Sequence, residues 1–175
     1  MKKLLVLLPI FFCVLISCQN KQSFAELEEL KAQGILEEQN KEFVRIYFNE
    51  LGKTKSDDLD VFLEKFISLD YILHLPGEEI RGMEGLVDHY ASSKAAFPDA
   101  VQTILDVIAE KDKVAFRGVF MIFLPNKDKI NVTFVGIWKI QEGKIVEWWS
   151  EYDALGMMQQ LGMELQMKDS SSKAP

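Results

Sequence analysis

Cysteine, histidine and proline are scarce in this 175-residue chain, at two, two and five. Both cysteines, Cys13 and Cys18, lie near the N-terminus. Everything after them lacks a thiol for a disulfide, a thiolate metal site or a cysteine nucleophile. The two histidines are too few and too differently placed to suggest a zinc centre, so no metal is expected. Gly-rich phosphate loops, a Gly-x-Ser-x-Gly elbow and dinucleotide fingerprints are also missing. Kinase, α/β-hydrolase and Rossmann dehydrogenase chemistry fall away with them, and no cofactor is called for. Basic residues are outnumbered, 20 against 27, for a net charge of −7. Such a chain is poorly suited to hold nucleic acid or anionic lipid headgroups by charge.

One apolar run is present. Lys2 and Lys3 precede an almost wholly apolar stretch from Leu4 to Ile16. That is shorter than the roughly 20 residues a membrane-spanning helix needs, and it reads as a targeting segment. Leu15-Ile16-Ser17-Cys18 resembles the lipobox of a bacterial lipoprotein. The resemblance implies cleavage before Cys18, lipidation of that residue, and residence in the bacterial cell envelope on a membrane face. The lipid, rather than a charged surface, would then hold the protein at the membrane.

The remaining chain divides into a polar tether over residues 18–35, one domain over 36–165 and a serine-rich tail expected to be disordered. Phe24, Leu27 and Leu30 give the tether some helical tendency. Phe43, Val44, Tyr47, Phe48 and Leu51 form an apolar stripe on a helix ending at Gly52. Ser56-Asp57-Asp58 supplies caps for a second helix bearing Leu59, Phe62, Leu63 and Phe66. A short strand, Tyr71 to Leu75, stops at Pro76-Gly77. A third helix after Gly82 carries Met83, Leu86, Val87, Tyr90 and Phe97 on one side and is closed by Pro98. Strands then follow at 101–110, 114–124, 130–140 and 144–153. Apolar density on both phases of 114–124 predicts a central strand covered on both faces. Helices first and strands afterwards predict an α+β fold, with helices packed on one face of a mostly antiparallel sheet.

The chemistry concentrates in the last strand. Glu147, Glu151 and Asp153 share one face beside Trp149. Carboxylates beside large aromatics are costly unless they meet water, a partner or a ligand. Glu151 is assigned to water, while Glu147 is left open between water and a pocket. Asp153 precedes Ala154-Leu155-Gly156, where it suits a helix N-cap as well as it would suit an acid/base role. His74, between Leu73 and Leu75, reads as partly buried or ligand-facing. His89 falls opposite the apolar stripe of the third helix and reads as solvent-exposed. Arg117 in an apolar strand needs a carboxylate on an adjacent strand or a ligand anion. Tyr47, Trp138, Trp148, Trp149 and Phe120 are core aromatics or the wall of a pocket for a flat ligand.

Several short motifs occur in a familiar order. Gly82-Met83-Glu84-Gly85-Leu86, Phe97-Pro98-Asp99 and Asp112-Lys113-Val114-Ala115 are followed by Gly143-Lys144-Ile145-Val146-Glu147. Asp153-Ala154-Leu155-Gly156 and Gln159-Gln160-Leu161-Gly162 complete the set. Over about Glu42 to Gly162 the chain resembles the SnoaL-like polyketide cyclase (ester cyclase) family. That family belongs to the superfamily of ketosteroid isomerase and nuclear transport factor 2. The resemblance implies a cone-shaped α+β fold around a deep apolar pocket, usually in a homodimer. It implies Asp153 as the acid/base residue and His74 at the pocket mouth. Arg117, Trp149, Glu147, Tyr47 and Trp138 complete the expected pocket. One segment departs from the family. Many members carry a polar Gly-Thr-His stretch after the arginine of the central strand, where this chain has Val119-Phe120-Met121-Ile122-Phe123-Leu124. Two functions are therefore carried forward. One is acid/base isomerisation, cyclisation or hydration of a small hydrophobic carbonyl compound. The other is binding of such a molecule without chemistry. An exposed sheet face that docks a protein partner is a weaker third.

Overall fold

The computed structural model describes residues 4–124 and 128–166, with side chains from residue 23 onward. Lys2, Lys3, the break at 125–127, the side chains of Cys13 and Cys18 and the tail from 167 lie outside the described residues. Helix α1 runs Leu4–Leu51, continuous through the stretch read as a tether. Phe24, Leu27 and Leu30 are exposed on it, whereas Val44, Tyr47, Phe48 and Leu51 are buried. The helix meets the sheet at Glu37 and Asn40. Asn40 Nδ2 donates to the Lys111 carbonyl at 3.0 Å, and the Lys111 amide donates to the Glu37 carboxylate at 3.1 Å. A bond from Gln33 and the Lys111 amide hold the Glu37 carboxyl below the usual carboxylate range. The Gly52 amide then donates back to the Phe48 carbonyl where the helix ends.

Ser56–Asp58 forms one 3-10 turn without a side-chain cap, and α2 follows as Leu59–Phe66. Strand β1 is Ile67–Leu75, longer than the sequence suggested. Gly77, with φ of +78°, turns it into β2, Glu78–Arg81. No strand was expected there, because Ile80 is the single apolar residue among Glu78, Glu79 and Arg81 and gives no alternation to read. Helix α3 is Gly82–Ala96. Strands β3 (Val101–Glu110), β4 (Lys113–Phe123), β5 (Lys129–Gln141) and β6 (Lys144–Tyr152) form an antiparallel meander. Short helix α4, Ala154–Gln160, closes the described domain.

The six strands make one sheet in the order β2-β1-β6-β5-β4-β3. Every pairing is antiparallel except β1 with β6. The fold is thus α+β, an open curved sheet with helices on its inner face, as the sequence predicts. Its core is aromatic. Trp138 is fully buried, with ring centroids of Tyr47, Phe116 and Phe48 at 4.9, 4.8 and 5.5 Å. The expectation for β4 is corrected on one point. The strand is paired on both edges, but only Val114, Phe116, Gly118 and Ile122, on its inner side, are buried. Lys113, Arg117 and Phe123 on the outer side are exposed, with Val119 and Met121 half-buried. Apolar residues on both phases here reflect a partly apolar outer face rather than a second covering layer.

Two glycines shape the inner face. Across β4 and β5, Phe116 pairs with Gly136 and Gly118 pairs with Phe134. A Cβ at Gly136 would come within 2.5 Å of the Phe116 ring, and one at Gly118 within 2.4 Å of the Phe134 ring. Each phenylalanine lies over the bare backbone of the opposite strand.

Candidate functional site

Between the end of α1, α3 and the inner face of the sheet lies a cavity of about 350 Å³. That volume is within the range of about 300–1,000 Å³ typical of small-molecule sites. Phe48 and Leu51 of α1 form one wall, Phe120, Phe134 and Trp148 the floor, and Met157 of α4 one end. The polar lining side chains are Glu78, His89, Tyr90, Ser93, Lys94, Gln102, Ser150 and Tyr152.

Strand alternation decides which predicted residues reach this cavity. Trp148, Ser150 and Tyr152 of β6 line it. Glu147, Trp149 and Glu151 must therefore point to the other face. Glu151 is exposed there, as expected. His74 is on that outer face too, opposite Trp149 in the β1–β6 register. The structure does bring His74, Glu147 and Trp149 together. The His74 Nε2 atom is 2.9 Å from Glu147, and Nδ1 is 3.1 Å from Glu79. The ring stacks on Trp149 at 5.3 Å and 11°. This cluster clamps β2, β1 and β6 on the outside and does not line the cavity.

The other pocket expectations also fall outside it. Arg117 pairs with Asp106 on neighbouring β3 at 2.6 Å, both exposed, on the outer face. The carboxylate partner on an adjacent strand is the alternative the structure selects, and an exposed pair of this kind contributes about 0–1 kcal/mol. Tyr47 and Trp138 are wholly buried core residues. Tyr47 still touches the site indirectly, because its hydroxyl is 2.7 Å from that of the lining residue Tyr90. Burial raises both phenols well above their ordinary range. Asp153 is exposed, and its Oδ1 accepts from the Gly156 amide at 2.8 Å, capping α4. Its chain neighbours Tyr152 and Met157 line the cavity, so it stands at that edge without lining it. From the apolar 119–124 segment, Phe120 contributes to the floor and leaves the cavity open.

His89 is the residue the sequence placed wrongly. It is half-buried and lines the cavity. Burial pushes its imidazole below the ordinary histidine value, and the nearby Glu78 carboxylate opposes that shift. A signal was present: Leu86, Tyr90, Ser93 and Phe97 step along α3 at helical spacing, and His89 borders that line. Further along α3, Lys94 donates to the Thr54 carbonyl, and burial lowers its ammonium below the usual lysine value.

Residues 53–161 match the family model of the SnoaL-like polyketide cyclases. The chain belongs to that family. Among solved structures, this SnoaL-like protein is similar to IdmH of Streptomyces antibioticus, assigned as a polyketide cyclase. The two share 26% identity over 70% of this chain and 97% of IdmH, with a TM-score of 0.61. A protein from Jannaschia sp. CCS1, assigned as a SnoaL-like polyketide cyclase, has 19% identity over 74% of this chain and 95% of its own, with a TM-score of 0.64. AclR of Streptomyces galilaeus, assigned as a hydroxylase, has 20% identity over 67% and 94%, with a TM-score of 0.55. The last two likenesses concern the fold alone. No curated protein matches the chain. Family and fold together support a cyclase- or isomerase-type function for this SnoaL-like protein.

Proposed function

We propose that the cavity takes a small hydrophobic carbonyl compound and that the protein promotes its acid/base cyclisation, isomerisation or hydration. The observation that carries this reading is the cavity of about 350 Å³ lined largely by Phe48, Leu51, Leu73, Phe120, Phe134 and Trp148, in a chain of this family. Deprotonation next to a carbonyl needs a positioned base and a stabilised oxyanion, with neither metal nor nucleotide. Asp153 is the carboxylate that the family resemblance assigns to this task. Its chain neighbour Tyr152 lines the cavity, which supports the assignment.

Asp153→Asn tests the assignment. A panel of aromatic β-keto esters is screened for binding by saturation-transfer NMR and for conversion by mass spectrometry. The expected outcome is conversion by the parent protein, lost by at least about 100-fold in Asp153→Asn with binding retained. Conversion at the parent rate would sink the role of Asp153. The exposure of Asp153 favours one second reading, in which the protein only holds the ligand at the cell envelope. Binding of panel members with no conversion by the parent protein would support it.

A further inference from the structure

Five titratable side chains line the cavity: Glu78, His89, Tyr90, Lys94 and Tyr152. Tyr90 is tied by its hydroxyl to Tyr47, and Lys94 to the Thr54 carbonyl. A lysine or a tyrosine would also have to shift by several pKa units to exchange protons near neutrality. His89 differs on both counts. Neither of its ring nitrogens makes a hydrogen bond among the described residues, and its ring only meets Tyr90 edge-on at 5.9 Å.

We propose that His89, with the Glu78 carboxylate nearby, is a proton-transfer residue inside the cavity. The proposal rests on the reading that this cavity binds an apolar carbonyl compound, and it adds a second proton-handling group to Asp153. The neutral imidazole takes a proton from the carbon next to the substrate carbonyl. The C–H bond breaks, an N–H bond forms, and the electron pair moves into an enolate. After the new bond closes or the double bond migrates, the imidazolium returns its proton to the resulting oxyanion or carbanion. No oxidant or co-reactant enters.

The neighbouring charges suit that cycle. Glu78 of β2 is the acidic lining group, and its carboxylate stabilises the imidazolium that forms. Lys94, about one and a half helical turns further along α3, is the cationic lining group, held by the Thr54 carbonyl. The lining residues from α1 and β1, Phe48, Leu51, Leu73 and Leu75, carry no charge. A half-buried lining histidine whose imidazole is pushed below its ordinary value is therefore available as a base.

A probe reaction reads this without knowledge of the natural substrate. Nitrobenzisoxazole loses one C–H proton to a base while its N–O bond breaks, giving a coloured cyanophenolate. With the full-length chain in mild detergent, the expected rate rises along a single titration whose midpoint lies below 6.5, the ordinary histidine value. His89→Gln should lose at least about 10-fold of the rate. Glu78→Gln should retain turnover but move the midpoint lower still, an effect that a merely structural Glu78 would not produce. Probe binding is followed separately by saturation-transfer NMR. Saturable binding with a rate that His89→Gln leaves intact overturns the proposal while the cavity reading survives. No saturable binding overturns both. Should His89→Gln fail to fold, the pH profile of the parent and Glu78→Gln proteins decides, and a profile without a midpoint below 6.5 counts against His89.

Discussion

At the scale of single residues, Asp153 shows how one side chain can satisfy two descriptions at once. Its carboxylate accepts from the Gly156 amide, one of the donors that a helix start leaves without a partner. Asparagine can make the same bond and alanine cannot. Asp153→Ala should therefore cost about 1 kcal/mol in a denaturant melt, with Asp153→Asn near zero. Equal losses in both would mean that the cap contributes nothing measurable. The histidines were harder to read. His74 sits between two leucines, which left a partly buried ring or a ligand-facing one, and strand alternation sends it, half-buried, to the outer face with Glu79 and Glu147. His89 lay off the apolar stripe of its helix, which suggested solvent, yet the cavity wall extends past the stripe to include it. A sequence gives the period of an element. It does not give how wide a buried sector the neighbouring elements will make of it.

At the scale of elements, most helices and strands were legible because their periods were clean. The stripes of α1 and α2 and the alternation of β5 lead directly to the residues found buried. What could not be read was pairing. The tight inner face depends on the crossed Phe116–Gly136 and Phe134–Gly118 pairs, which exist only in the β4–β5 register. Gly136→Ala would push a methyl against the Phe116 ring and the Trp148 indole. The expected cost is about 1–3 kcal/mol of overpacking, read as a lowered denaturation midpoint with unchanged m-value. A variant as stable as the parent would show that the ring can yield freely. The four residues of β2 were likewise invisible, since a short charged edge strand acquires its identity from β1 beside it.

At the scale of the whole molecule, the fold class and the family were both legible, whereas the location of the cavity relative to the predicted residues was not. The reading of Cys18 as a lipid attachment point remains our proposal. Metabolic labelling with an alkyne fatty acid should mark the full-length protein in its bacterial host and should fail with Cys18→Ala. Labelling of that variant at the parent level would remove the lipoprotein reading. The sheet topology carries a different implication. Four consecutive strands form a local meander, and β1 joins it through the parallel β1–β6 seam, whose partners such as Leu73 and Trp148 are about 75 residues apart in sequence. The cavity draws Phe48, Leu73 and His89 from one side of that seam and Phe120, Phe134 and Trp148 from the other. Closing such distant contacts is slow, because chain entropy is lost before the contacts form. A ligand held there bridges the seam and works as a latch on it: if the cavity forms late in folding, the expected gain is slower unfolding, with the rate of folding left nearly alone.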